Sequence, residues 1–145
     1  MKKTSEKTGL LILGMHRSGT SALTRVLSLL GYALPKNVTG SSEGNETGHW
    51  ESALIAETNN DVFKELGLAW FSWSPMRLER LSTKHKMQII DDFEDKIHAE
   101  FSGPTDFVLK DPRLCRTAPL VLKACLLYTS PSPRDATLSR MPSSA

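Results

Sequence analysis

The stretch Leu10-Leu11-Ile12-Leu13-Gly14-Met15-His16-Arg17-Ser18-Gly19-Thr20-Ser21 decides the fold class. Its first four residues are continuously apolar, and a run this short, ended by glycine, reads as a buried strand rather than a helix. From about Ser18 the period changes: Leu23, Val26, Leu27 and Leu30 recur on one helical face, and Gly31 stops the pattern. Strand, glycine-bounded loop and helix follow one another without a gap. That order places backbone N–H groups and the positive end of a helix around the residues of the loop, which makes an anion site. Arg17 adds a planar, permanently charged fork suited to phosphate or sulfonate. Thr20 and Ser21 add hydroxyl donors.

Outward from this unit the same alternation continues. Residues 32–48 are rich in Gly, Ser, Asn and Thr without period and read as a long loop. A helix is expected over 49–66, with Leu54, Val62, Phe63 and Leu66 turned inward. Trp70, Phe71 and Trp73 follow as an aromatic wall over a cleft or core. Met87, Ile90, Phe93, Ile97 and Phe101 recur every three or four residues and predict a helix over 84–101. Phe107-Val108-Leu109 is a second short apolar strand, leading into Lys110-Asp111-Pro112-Arg113, and Pro119 is expected to open a further helix. Strands separated by helices imply a parallel α/β sheet.

The 145 residues carry 18 Lys and Arg against 16 Asp and Glu, a net charge of +2, which argues against a dedicated nucleic-acid binder. No apolar run is long enough to span a membrane, and the N-terminal apolar stretch is too short for a signal-peptide core. A cytoplasmic location is therefore expected. Cys115 and Cys125 are too few for a disulfide framework, and no His/Cys/Asp cluster has metal-ligand spacing, so no metal site is expected. Cys115 reads as a small buried residue.

Residues 14–21 keep the glycine spacing of the nucleotide-triphosphate loop GxxxxGK[ST], but Thr20 stands where its lysine belongs and the cation has moved forward to Arg17. Gly-Met-His-Arg-Ser-Gly-Thr-Ser resembles the 5′-phosphosulfate loop of the sulfotransferases, enzymes that use 3′-phosphoadenosine 5′-phosphosulfate (PAPS). It is most similar to variants with Arg in place of the loop lysine, as in bacterial sulfotransferase-like and tyrosylprotein sulfotransferase loops. Gly48-His49-Trp50-Glu51, Leu66-Gly67 with Trp70, and the segment FVLKDPRL at 107–114 resemble later segments of the bacterial group in the same order. The resemblance covers residues 10 to 122. It implies a three-layer α/β fold with a P-loop-like strand–loop–helix, incomplete here, and PAPS as the sulfuryl donor. It implies that Gly14, His16, Arg17, Ser18, Gly19, Thr20 and Ser21 bind the cofactor's 5′ end. Lys110 would reach the sulfonate or bridging oxygen, and Asp111 would orient Lys110 or cap the turn. Glu51, placed in the first turn of its helix, is the leading general base, with His49 second. The acceptor would be a hydroxyl or amine on a small molecule, carbohydrate or peptide.

One family feature is missing. The cofactor's 3′-phosphate is bound there by an Arg and a Ser about eight residues apart, whereas Arg113 and Arg116 are followed, eight residues on, by Val121 and Ala124. Residues 125–145 also read differently, with three prolines, five serines and no amphipathic period. Back-translated, 125–135 and 139–145 match the two ends of a transposase-type sequencing adapter in one frame. The expectation is thus a polar lead-in over 1–8, the N-terminal part of a sulfotransferase domain over 9–124, and a disordered, adapter-translated tail over 125–145. Such a chain is expected to be inactive alone. Two other readings of the loop stand beside this one: a nucleotide-kinase-like phosphotransferase, disfavoured by the missing loop lysine and the lack of an Asp ending an apolar strand, and a non-catalytic anion-binding module.

Overall fold

The computed structural model describes residues 7–40, 48–103 and 105–129. Most of the 125–145 tail, the tip of the long loop and the start of the lead-in lie outside these. The described chain is a mixed α/β arrangement: strand β1 (Gly9–Ile12), helix α1 (Thr20–Leu29), helix α2 (Ala53–Glu65), a single 3₁₀ turn (Leu78–Arg80), helix α3 (Thr83–Glu100), strand β2 (Phe107–Lys110) and helix α4 (Leu114–Thr129).

The two strands pair in parallel, Gly9 beside Phe107 through Ile12 beside Lys110. Parallel strands end at the same edge of the sheet, so the loop after Ile12 and the turn after Lys110 leave side by side, the usual location of ligands in α/β sheets. The second edge of β2 is also engaged, since Ala33 N–H donates to Asp106 and Val108 N–H donates to Ala33. Every residue of β2 is buried, as a strand covered on both faces requires.

Helix α3 packs against α4 and α2. Its stripe of Ile90, Phe93 and Ile97 meets Ile55 and Val62 of α2, Phe107 and Leu109 of β2, and Leu114 and Val121 of α4 in one core. Ser52 and Ser82 cap α2 and α3, their side chains accepting from Ile55 N–H and His85 N–H. Met87, expected inward, is half exposed. On α1, Leu23, Val26, Leu29 and Leu30 are each at least 50% exposed, and only Thr20 and Thr24 are buried. The apolar period of α1 is present, but of its stripe only Leu27 is half-buried among the described residues.

Two helix starts differ from expectation. Helix α2 begins at Ala53 rather than near His49, because Ser52 takes the cap while Gly48 and Trp50 have positive φ (95° and 57°). Glu51 therefore precedes the helix, in an extended segment whose carbonyl accepts from Thr39 N–H. Helix α4 opens earlier than Pro119. Asp111 Oδ1 accepts from Arg113 N–H at 2.8 Å and Leu114 N–H donates to the Asp111 carbonyl, so Asp111 closes the turn at Pro112-Arg113 that leads into the helix. Pro119 lies inside α4 and is exposed. Cys115, expected buried, is exposed. At its other end α4 runs past Ala124 to Thr129, five residues beyond the point where the tail was expected to begin. Cys125 there is partly packed against the core, and burial pushes its thiol up to about 11.

Candidate functional site

The loop after β1 is built on left-handed backbone. Arg17 has φ 62° and Gly19 has φ 80°. Gly19 is the N-cap of α1 and provides no side chain, so no capping oxygen occupies the first N–H groups of the helix. Gly14 is required by close packing: a Cβ there would come within 2.5 Å of Thr20 Cγ2 and 2.8 Å of Ser18 Oγ. Ser18 turns inward, its hydroxyl donating to the Met15 carbonyl at 2.6 Å, and Thr20 is buried. Arg17 is exposed, and no side-chain partner for it exists among the described residues. The loop thus ends in uncapped helix N–H groups, and Arg17, two residues before Gly19, is exposed.

Lys110, the last residue of β2, is 3% exposed. Its ammonium donates to Glu51 Oε1 at 2.6 Å, the His49 carbonyl at 3.2 Å and Ser21 Oγ at 3.3 Å. All three of its protons are therefore committed. Ser21 stands in the first turn of α1, so Lys110 is tied directly to the residue after Thr20. Glu51, at 8% exposure, offers Oε2 to Arg113 Nη1 at 3.8 Å. Arg113 in turn makes two contacts with the fully buried Asp111, at 3.0 and 3.1 Å. Four charges of alternating sign, Lys110, Glu51, Arg113 and Asp111, form one compensated row. A lone charge at this depth would cost several kcal/mol.

The row rests on polar residues that the motifs did not single out. Asn59 Nδ2 donates to Asp111 Oδ2 at 3.3 Å, and Thr117 Oγ1 donates to Asn59 Oδ1 at 2.6 Å, both residues being fully buried. Sequence carried a signal for Asn59: it falls on the helical stripe of Ile55, Val62 and Phe63, where an apolar residue belongs. Glu100, on the stripe after Phe93 and Ile97, is a second such case. Its carboxylate accepts from the Ser52 hydroxyl and from Asn37 N–H at 2.9 Å, which ties the segment before α2 to the end of α3.

His16 stacks at a tilt on Trp70, ring centroids 4.5 Å apart, and Trp70 meets Phe71 edge to face. The aromatic wall thus stands beside the glycine loop rather than over the core, with Trp73 96% exposed. The imidazole of His16 is held below its ordinary pKa, first by partial desolvation and then by the positive charges of Arg113 and Lys110, against the opposing carboxylates Glu51 and Asp111. His16 therefore feels the whole charged row. Of the expected site residues, Ser21, His49, Glu51 and Lys110 are in direct contact, His16 is coupled to them through space, and Arg17 extends away on the exposed loop. Among the described residues no group of His, Cys, Asp and Glu could hold a metal ion, and no helix is long and apolar enough to cross a membrane. The chain matches no protein-family model, no curated protein and no solved structure.

Proposed function

We propose that this chain carries the donor-side half of a sulfotransferase site, for transfer of a sulfuryl group from PAPS to a hydroxyl or amine. One observation carries the reading: Lys110, at the end of β2, is hydrogen-bonded to Ser21 of the glycine loop and to Glu51 at once. A P-loop-like anion loop and a buried lysine at the ends of parallel strands supply what sulfuryl transfer requires, namely a cradle for the leaving phosphate and a cation at the bridging oxygen. The finer fold assignment that goes with this is a three-layer sheet containing the two observed strands.

The residues present fit such a donor. The α1 N-terminus lacks a side-chain cap, Gly14 leaves no room for a larger residue, and Arg17 has no acid partner among the described residues. PAPS, when bound, supplies an activated sulfuryl group on a good leaving phosphate. Arg17 and the amides at Gly19, Thr20 and Ser21 would hold the phosphate oxygens. Lys110 would release its longest contact, to Ser21 Oγ, and turn that proton toward the sulfonate. Glu51 keeps Lys110 aligned through Oε1 and takes the acceptor's proton at Oε2, the oxygen Lys110 does not use. His49 contributes its carbonyl to the alignment of Lys110. The reading assigns no residue to the 3′-phosphate. The exposed thiol of Cys115 suits a cytoplasmic location.

Calorimetry with adenosine 3′,5′-bisphosphate tests the donor site. Arg17→Ala removes a charge-assisted contact and should weaken binding by about 1.5–3 kcal/mol, roughly 10- to 150-fold. No labelled sulfate transfer to a panel of hydroxyl and amine acceptors is expected from this chain alone. Nucleotide affinity untouched by both Arg17→Ala and Lys110→Ala would remove both residues from their assigned roles.

A further inference from the structure

A cleft of about 300 Å³ lies between the end of α2 and the segment that follows the aromatic residues. Leu66, Gly67, Ser74, Pro75, Arg77 and Arg80 line it. Arg77 immediately precedes the 3₁₀ turn and Arg80 ends it. Both arginines line the cleft, and Glu79 between them does not. Neither arginine has a side-chain hydrogen bond or ion pair among the described residues, whereas Arg25, Arg113 and Arg116 all have partners.

The acceptors that would oppose an anion in this cleft are already taken. Ser72 and Ser74 carbonyls accept from Arg116, which also fixes the wall in place. Of the carbonyls that end α2, those of Phe63 and Lys64 accept from Leu68 N–H and Gly67 N–H. Glu65 is paired with His85 at 3.1 Å. What remains is a small polar cleft with two uncommitted guanidinium groups. It shares the segment 69–75 with the donor loop, since Trp70 of that segment rests on His16.

We propose that this cleft binds an acidic saccharide, one ring carrying a carboxylate or sulfate group, with Arg77 and Arg80 on the anion. Resting on the sulfuryl-transfer reading, it would be the acceptor subsite. Arg forks match carboxylate and sulfate oxygens bidentately. The volume is at the lower limit of small-molecule sites and suits a single ring rather than an extended peptide, which needs a groove or a sheet edge. Phe71 and Trp73, adjoining in sequence and 63% and 96% exposed, offer flat apolar faces for the C–H face of a sugar ring.

The test is amide NMR on the full chain, titrated with a sulfated disaccharide, its neutral counterpart, tetraglutamate and inorganic sulfate. The sulfated disaccharide should shift the amides of Gly67, Leu68, Arg77 and Arg80. The double variant Arg77→Ala/Arg80→Ala should weaken it at least tenfold with an unchanged melting curve, and Arg77→Lys/Arg80→Lys should fall between, keeping charge and losing the fork. Equal affinity for the neutral sugar, tighter binding of tetraglutamate, inorganic sulfate binding as tightly as the disaccharide, or shifts confined to 14–21 would each overturn the assignment. Arg17→Ala should leave this binding intact. Saccharide binding here combined with no bisphosphate binding at the loop would leave the cleft's assignment standing and overturn the sulfuryl-transfer reading instead.

Discussion

Helices α3 and α1 both carry an apolar stripe, and the protein treats them differently. Phe93 and Ile97 of α3 are fully buried between α2, β2 and α4, whereas Leu29 and Leu30 of α1 are 70% and 72% exposed. The caps differ in the same direction: Ser82 closes the first turn of α3, and Gly19 offers α1 nothing. Amphipathic spacing thus states which face of a helix is able to be buried and not whether a neighbour covers it. The comparison also locates the candidate site. Lys110, Glu51 and Asp111 belong to the well-packed side, and the loop with Arg17 belongs to the open side. The site is the seam between a rigid cation and a mobile-capable anion cradle.

The largest test of that contrast is Phe93→Ala against Leu29→Ala. Emptying the Phe93 position should cost about 3–5 kcal/mol in denaturant unfolding. Leu29→Ala, on an exposed face, should stay within about 0.5 kcal/mol. Comparable losses would mean that α1 packs as tightly as α3.

Next comes the seam. Asp111→Ala leaves Arg113 facing Glu51 without its main partner and leaves Asn59 Nδ2 without an acceptor in a fully buried place. A loss of about 3 kcal/mol is expected, in the range for breaking a buried pair. The double-mutant cycle with Asn59→Ala should show a coupling of about 0.5–3 kcal/mol, because the two act through one network. Additive losses would break the network into independent contacts.

Amide hydrogen exchange sharpens the comparison without a mutation. Interior amides of α3 should exchange only through global unfolding, and those of α1 through local opening with lower free energy. Equal protection of both helices would contradict the difference in burial.

How far the sequence alone reached follows the same division. Both strands, the stripe of α3 and the glycine loop were legible, because each depends on local period or on backbone constraints that only glycine satisfies. The aromatic residues at 70–73 were legible as a wall, although not what they stood against, since that depends on how the segment after α2 folds back. The expected helix start at His49 puts Glu51 inside the helix, although Ser52 has the better chemistry for a cap. Pro119 has the chemistry of a first-turn residue but lies inside α4, whereas Asp111, whose side chain accepts from Arg113 N–H, closes the turn before it. The Asn59–Thr117–Asp111 support was invisible as a motif: its members are 52 and 58 residues apart in the chain and meet only through packing.

The smallest expected effect concerns His16, which sits on the open side and senses the packed one. Its pKa is lowered in the folded protein, chiefly by desolvation, with Arg113 and Lys110 adding to the shift. The unfolded chain therefore binds more protons than the native state below the ordinary value of 6.5. By linkage, stability from this residue is complete above pH 6.5 and declines as pH falls below it. The ring titration followed by NMR should have its midpoint below 6.5, and His16→Gln should flatten part of the acid-side slope while leaving stability at pH 8 nearly unchanged. A midpoint at or above 6.5 would mean that the attraction of Glu51 and Asp111 offsets the desolvation of the ring and the two cations, and the acid-side loss of stability assigned to His16 would disappear.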